Sequence, residues 1–455
     1  MLFEGKGDQN MRDESKKYGY AAYEMIKHAA NEIGSRLPGS ANEHKFHDYI
    51  AGKLKEIGIK PVTEEFTVAP RGSIGGIPFA GYAGILLSAL TYFALGNSHI
   101  WFAMAAISIC VTVWLVCDVL LYHTWFDLFF HQEISRNTYG ELLPEDGEYD
   151  YTIMLSGHTD TSWTWKHSLR AYRYRKNPAY GLLATIGKVG FGAICFFFMA
   201  ATSIAMAIIF LGYFLTKPWA YEIVNSTSFT NFLIAMHFIP PVTAIGCIFV
   251  AAWNDRHEQN GSRGAMDNAS GIALSYQVIK YFAEHRDRMP KRCRIVNFNC
   301  GAEEAGLRGS IAFVRDHKGE DILKNTWNIN IDSVADADRF EVINGDVWQF
   351  TRFDKDLEKM FVDTFEELGI DSKTPGFKMK NPVGGCDSTP LTRAGMKSVT
   401  FAAQEPTLTY YYHTWRDVPE RFTPDTVSLG FDVVLSVIEK IDAFQQEHGF
   451  NGVNN

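Results

Sequence analysis

The chain predicts an α/β domain with a mostly parallel central sheet flanked by helices, into which four apolar segments are inserted as two hairpins. Two observations carry this. Strand-like and helix-like patterns alternate through the polar parts of its 455 residues, and long runs free of Asp, Glu, Lys and Arg interrupt them at two places. Alternation of that kind favours strands joined through helices, hence parallel pairing.

Taken in order, Glu14–Ile33 and Ala41–Ile57 have helical spacing and are separated by Leu37-Pro38-Gly39-Ser40. Strand candidates follow at Pro61–Val68, Ile134–Leu142 and Tyr151–Leu155. A helix at Ser270–His285, a strand at Arg292–Asn299, a helix at Ser310–Lys318 and a strand at Thr326–Ile331 come next. The last elements are a helix at Lys355–Leu368, a strand at Ser398–Phe401 and a helix at Thr423–Gln445.

The first charge-free stretch runs from Gly72 to Cys117 and breaks at Gly96-Asn97-Ser98-His99, giving segments at Ile77–Leu95 and Ile100–Tyr122. Two more run from Val189 to Thr216 and from Ile223 to Asn254, the last carrying Pro240-Pro241. A bilayer-spanning helix needs about 20 mostly apolar residues, so four transmembrane helices are expected, with the lipid bilayer as a partner. The competing reading is buried core helices, which normally show a polar stripe; Ala193–Phe214 offers only scattered Ser and Thr. Basic residues at the ends facing the polar domain, among them Arg71, Arg136 and Arg173 against Lys217 alone at the opposite turns, predict a multi-pass protein with that domain on the cytoplasmic side. The charged opening MLFEGKGDQN does not read as a signal peptide.

A net charge of −9 argues against a nucleic-acid binder. The seven cysteines form no CxxC pair, so neither a disulfide framework nor a thiolate zinc site is indicated.

Of the residues able to do chemistry, three groups sit where a strand candidate ends and Asp267 precedes a helix. They are His158 and Asp160 in SGHTD, Asp267 in GAMDNASG, Glu303 and Glu304 in AEEAGLRGS, Asp332 closing NINID, and His413 in YYYHT. In a parallel sheet, ligands gather at the carboxyl ends of the strands. Imidazole and carboxylate without thiolate suit a catalytic metal site that keeps a position open. Singly, Asp267 is equally an ordinary helix cap and Glu303-Glu304 a solvated pair.

In this order, the motifs HTD, GAMDNASG, EEAGLRGS, NINIDS and YYHT resemble the signature of the M28 zinc metallopeptidases, and RLPGS and Gly384-Gly385-Cys386-Asp387 resemble that family too. The resemblance implies a zinc aminopeptidase-like fold and an exopeptidase that removes N-terminal residues; the apolar hairpins depart from the family and would anchor the enzyme in a membrane. It implies two zinc ions, with cobalt or manganese as substitutes. Asp267 would bridge the ions, His158 and Asp332 would complete one site, and Glu304 and His413 the other. Glu303 would be the general base and Asp160 would orient His158. Tyr410, Tyr411, Tyr412 and Asp387 would lie near the peptide substrate. A carboxypeptidase or dipeptidase, with Arg308, Arg393 or Arg416 as carboxylate clamp, and a catalytically silent scaffold are the alternatives. The peptidase domain would then occupy 1–71, 123–180 and 255–455, interrupted by hairpins at 72–122 and 181–254.

Overall fold

A computed structural model describes residues 13–73, 76–94, 98–165, 261–381, 384–405 and 409–448, together with positions 226–228, 248 and 251. Helix α1 (Asp13–Lys27) runs on through a wider turn at His28–Ile33. Helix α2 (Ala41–Glu56) starts at Ser40, whose hydroxyl accepts the Glu43 N–H, while the Glu43 carboxylate accepts the Gly39 N–H. This reciprocal cap satisfies two donors that the helix start leaves free. It is the structural meaning of the RLPGS stretch.

The strands are β1 (Val62–Val68), β2 (Glu133–Leu142), β3 (Tyr151–His158), β4 (Cys293–Cys300), β5 (Thr326–Val334), β6 (Phe340–Asp346), β7 (Thr351–Arg352), β8 (Lys378–Asn381) and β9 (Lys397–Ala403). They form one sheet ordered β1-β2-β4-β3-β5-β9-β6-β7, with β8 beside β6. The central strands β4, β3, β5 and β9 are parallel, and antiparallel pairs flank them on both sides. The sheet is therefore mixed and parallel only at its centre. β6, β7, β8 and the short helix over Ser388–Arg393 are the elements that hydropathy alone does not mark. β7 has two residues and β8 four, too few for a period to show.

β3 and β4 are buried at every position, as strands covered on both faces must be. Their alternate residues face two cores. Ile153, Leu155 and Ile295 join α1, α5 (Gly271–Glu284), α7 (Lys355–Glu367) and α9 (Pro424–His448) on one side. Met154, Val296 and Phe298 meet Phe313 of α6 (Arg308–Asp316) and Leu391 of α8 (Ser388–Arg393) on the other.

Between β1 and β2 the chain forms a helical hairpin, α3 (Ile77–Ala94) and α4 (Ser98–Trp114), continued by a wider turn to Leu120. This corrects the expectation of membrane-spanning helices. Among the described residues no helix is long and apolar enough to cross a membrane. Part of the apolarity is used within the protein, although Phe79, Tyr82 and Leu86 are exposed. Ile77 and Ala80 pack with Trp114, Leu115 and Val119, Leu87 packs with Met104, and the Trp114 indole donates to the Gly72 carbonyl. Asp118, far from sitting in lipid, is buried and accepts the Phe126 N–H. The multi-pass, cytoplasm-facing placement falls with the spans on which it rested. Nearly all of the second expected hairpin, 181–254, lies outside the described residues, as does 166–180.

In β6, Glu341 is fully buried; Thr374 donates to one carboxylate oxygen and the other has no partner among the described residues. Burial pushes its pKa up to about 7. A carboxyl raised in the folded state binds a proton on folding, so stability falls as pH rises from the unfolded pKa near 4.5 through about 7. Glu341→Gln is therefore expected to raise stability at pH 8 by roughly 1–3 kcal/mol and to lose that advantage below about pH 5, measured as Tm against pH.

Candidate metal centre

Each strand that ends at the carboxyl edge of the sheet centre delivers one group. His158 is the last residue of β3, the Glu303–Glu304 turn follows β4, and Asp332 lies near the end of β5, just before a register shift against β9. Asp267 precedes α5 in a non-helical conformation, and His413 stands in the loop after β9 with φ 51°. Left-handed backbone at a non-glycine residue is uncommon and concentrates at functional sites; Ala302, Ser333 and His413 all adopt it here.

These side chains converge as two trios that share Asp267. His158 Nε2 lies 3.1 Å from Asp267 Oδ1 and 3.8 Å from Asp332 Oδ1. His413 Nε2 lies 3.0 Å from Asp267 Oδ2 and 3.2 Å from Glu304 Oε1. Within each trio the donor atoms all fall within 4.8 Å of one another, a spacing that admits one cation. Glu303 belongs to neither trio, although it adjoins Glu304. The structure thus brings together His158, Asp267, Asp332, Glu304 and His413, the five residues offered as ligands.

The donor set fits a cation. Glu304 Oε1 is buried without a hydrogen bond, for the nearby His413 nitrogen lacks the geometry for one. The Nδ1 atoms of His158 and His413 are likewise buried without hydrogen bonds. Burial works against a charged His158, but Asp160, Asp267 and Asp332 outweigh it and hold its pKa well above the usual range. Burial pushes Glu304 up to about 8, with Asp267 and Asp160 adding to it and His413 opposing. Burial also drives Glu303 well up, helped by the charge of Glu304 and opposed by His158. A site of excess buried carboxylate thus has to take up protons or a metal ion, and the two compete.

Asp160 does more than face an imidazole. Its Oδ1 is 3.4 Å from His158 Nδ1, yet its two oxygens also accept the N–H groups of Glu303 and Glu304, each at 3.0 Å. It fixes the turn that carries both glutamates. Asp387 lies 1% exposed and accepts from Ser310 and from the Cys300 thiol, so it ties α8 to α6 and β4. Of the tyrosines, Tyr412 stacks on the His413 ring at 3.9 Å. Tyr411 turns away to donate to Asp336, with Arg421 over its ring, and Tyr410 packs edge-on against Tyr411.

Three bracing residues stand outside the expected site residues. Asp417 accepts the N–H groups of Met266 and Asp267 at 2.9 and 3.0 Å, as Asp160 does on the opposite side. Arg36 is wholly buried and donates to the carbonyls of Gly34, Thr159, Arg263 and Gly264. Glu43 accepts the Ala302 N–H immediately before the glutamate pair. Arg36 and Glu43 bracket the RLPGS stretch, which was the available signal; Asp417, four residues past His413, had none.

Residues 244–438 match the model of peptidase family M28. Over 192 residues the chain is 28% identical to the Bacillus subtilis (strain 168) protein Aminopeptidase YwaD, covering 39% of this chain and 37% of that protein. The match thus spans little more than a third of the curated relative's length. Among solved structures, a zinc aminopeptidase from Bacillus subtilis is similar with a TM-score of 0.50 at 14% identity, over 93% of this chain and 95% of that one. The aminopeptidase from Aneurinibacillus sp. strain AM-1 gives 0.51 at 11% identity, over 94% and 96%. The Bacteroides thetaiotaomicron glutaminyl cyclase gives 0.50 at 15%, over 92% and 97%. At these identities the likeness is one of fold.

Asp417→Ala is expected to leave two buried N–H groups unpaired and to weaken cobalt(II) binding about 10–100-fold, read from its visible absorption, with an unchanged far-UV spectrum. The segment that matches the family model, 244–438, carries four of the five clustered ligand residues.

Proposed function

We propose that the chain is a zinc-dependent peptide hydrolase, an aminopeptidase that binds two ions through His158, Asp267, Asp332, Glu304 and His413. The observation that supports this most is the pair of trios sharing one carboxylate, with a further glutamate beside them that neither trio uses. Bound there, two divalent ions would polarise a peptide carbonyl and lower the pKa of water. Asp267 would serve both ions. Glu303, which adjoins Glu304 and belongs to neither trio, would take the proton from the attacking water and give it to the leaving amine. Asp160 and Asp417 keep the glutamate pair and Asp267 from shifting as charge moves.

The carboxypeptidase alternative loses two of its three candidate clamps. Arg308 is engaged by the Tyr122 and His123 carbonyls and Asp127, and Arg393 by the Gln349 carbonyl. Arg416 stays exposed, lying over the Trp415 ring. Glutaminyl cyclases share the fold, but a cluster able to hold two cations favours hydrolysis over cyclisation.

Matched peptides with free, N-acetylated and C-amidated ends, offered with and without chelator, test the reading. Cleavage abolished by acetylation and by chelation, and restored by zinc, is expected. Loss on amidation alone would transfer the assignment to a carboxypeptidase. Glu303→Gln is expected to keep its zinc, measured by mass spectrometry, while turnover falls roughly 10²–10⁴-fold. Zinc uptake is also expected to release protons and to strengthen as pH rises through about 8, because Glu304 sheds its proton there. Calorimetry in buffers of different ionisation enthalpy measures that release.

A further inference from the structure

The α3–α4 hairpin returns to the domain at Tyr122, and there it meets the site. Tyr122 is 5% exposed and sits in the left-handed region with φ 58°, a conformation a bulky residue adopts only when its surroundings hold it. Arg308, at the end of the turn that carries Glu303 and Glu304, does the holding. Its guanidinium donates to the Tyr122 carbonyl at 2.6 Å and to the His123 carbonyl at 2.9 Å.

The ring occupies a slot that glycines keep open. A Cβ on Gly385 would come within 3.0 Å of the ring, one on Gly306 within 3.3 Å, and one on Gly384 within 3.4 Å of the phenol oxygen. Gly306 belongs to the glutamate turn, and Gly384-Gly385 to the turn before Asp387. Side chains on either would displace the ring. The hydroxyl has no hydrogen-bond partner among the described residues, and the charged group that acts on it most strongly is Glu303, ahead of Asp346 and Glu304. Burial, reinforced by these carboxylates, pushes its pKa well up, so it stays a donor across the neutral range.

We propose that Tyr122 is a substrate-contacting residue delivered by the inserted hairpin, its phenol O–H donating to the carbonyl oxygen of the peptide bond that is cleaved. This rests on the peptidase reading above. A protonated phenol between the glutamate turn and the Gly384-Gly385 turn has an acceptor to find, and the oxygen that gains negative charge during attack is the strongest one a peptide presents.

The test is Tyr122→Phe in the full chain, which keeps the ring in its slot and leaves the carbonyl for Arg308. Two quantities are followed: kcat and KM on the best-cleaved peptide, and the Kd of a phosphinic dipeptide analogue, which mimics the tetrahedral oxygen. The expected result is a fall in kcat of about 10–1,000-fold, with KM within twofold and zinc content and Tm unchanged. The analogue's affinity should fall by a similar factor while the product amino acid binds as before. Equal kcat and equal analogue affinity would overturn the contact, as would parallel losses of Tm and zinc that make the role structural. If the wild type cleaves none of the peptides, the peptidase reading fails by itself. The analogue still decides for Tyr122: weaker binding by the variant supports the contact, and equal binding or none overturns it.

Discussion

Asp267 lies between two imidazoles, 3.1 Å from one and 3.0 Å from the other, and the geometry around it depends on that carboxylate being held ionised in a buried place. Burial alone would favour its protonation, but His158 and His413 draw its pKa below the usual carboxylate range. A charge kept inside a protein has to be compensated, and hydrogen bonding or pairing is how proteins do it. Here the compensation is built from the backbone outward. Asp417 grips the N–H groups of Met266 and Asp267, Asp160 grips those of Glu303 and Glu304, and Glu43 grips that of Ala302. Three buried carboxylates thus fix two short backbone segments, and those segments fix the donor atoms.

Such bracing concentrates negative charge, and the opposing charge is correspondingly deep. Arg36 is attracted by Asp417, Asp160 and Asp267, yet its hydrogen bonds go to carbonyls on both sides of the site. Burial draws its pKa down only to about 10, so it remains a cation at neutral pH. It lowers the electrostatic cost of the carboxylates without neutralising any one of them by a direct pair, which leaves them free to bind something else.

The strands and helices of the central sheet, and the residues at their ends, were legible because they follow period and punctuation. Val62–Val68, Glu133–Leu142 and Cys293–Cys300 each begin within one residue of where alternation places them. The cluster was legible because chemistry of that kind needs particular residue types at strand ends. The bracing layer was not, since Asp417 and Glu43 act through backbone N–H groups that any residue could have supplied. The α3–α4 hairpin misled for a different reason. A run without charge reports only that its side chains avoid water, and Ile77, Ala80 and Trp114 satisfy that by packing on one another. Hydropathy does not distinguish a protein neighbour from a lipid one. Asp387 accepts from Ser310 and Cys300 through its two oxygens, a bracing role that its motif does not reveal.

The order of the strands has a consequence for how the chain reaches this state. β3 lies between β4 and β5, and partners such as Thr152 and Arg294 are 142 positions apart. Closing so long a loop costs chain entropy before the pairing returns any of it, and sheets dominated by distant contacts form slowly. During synthesis, the central strand emerges well before either of its neighbours, with both of its hydrogen-bonding edges open. Until β4 and β5 arrive, Tyr151–His158 is a short apolar template for pairing with other chains. A nascent chain of this protein therefore has most need of a chaperone over the interval between residue 158 and residue 334.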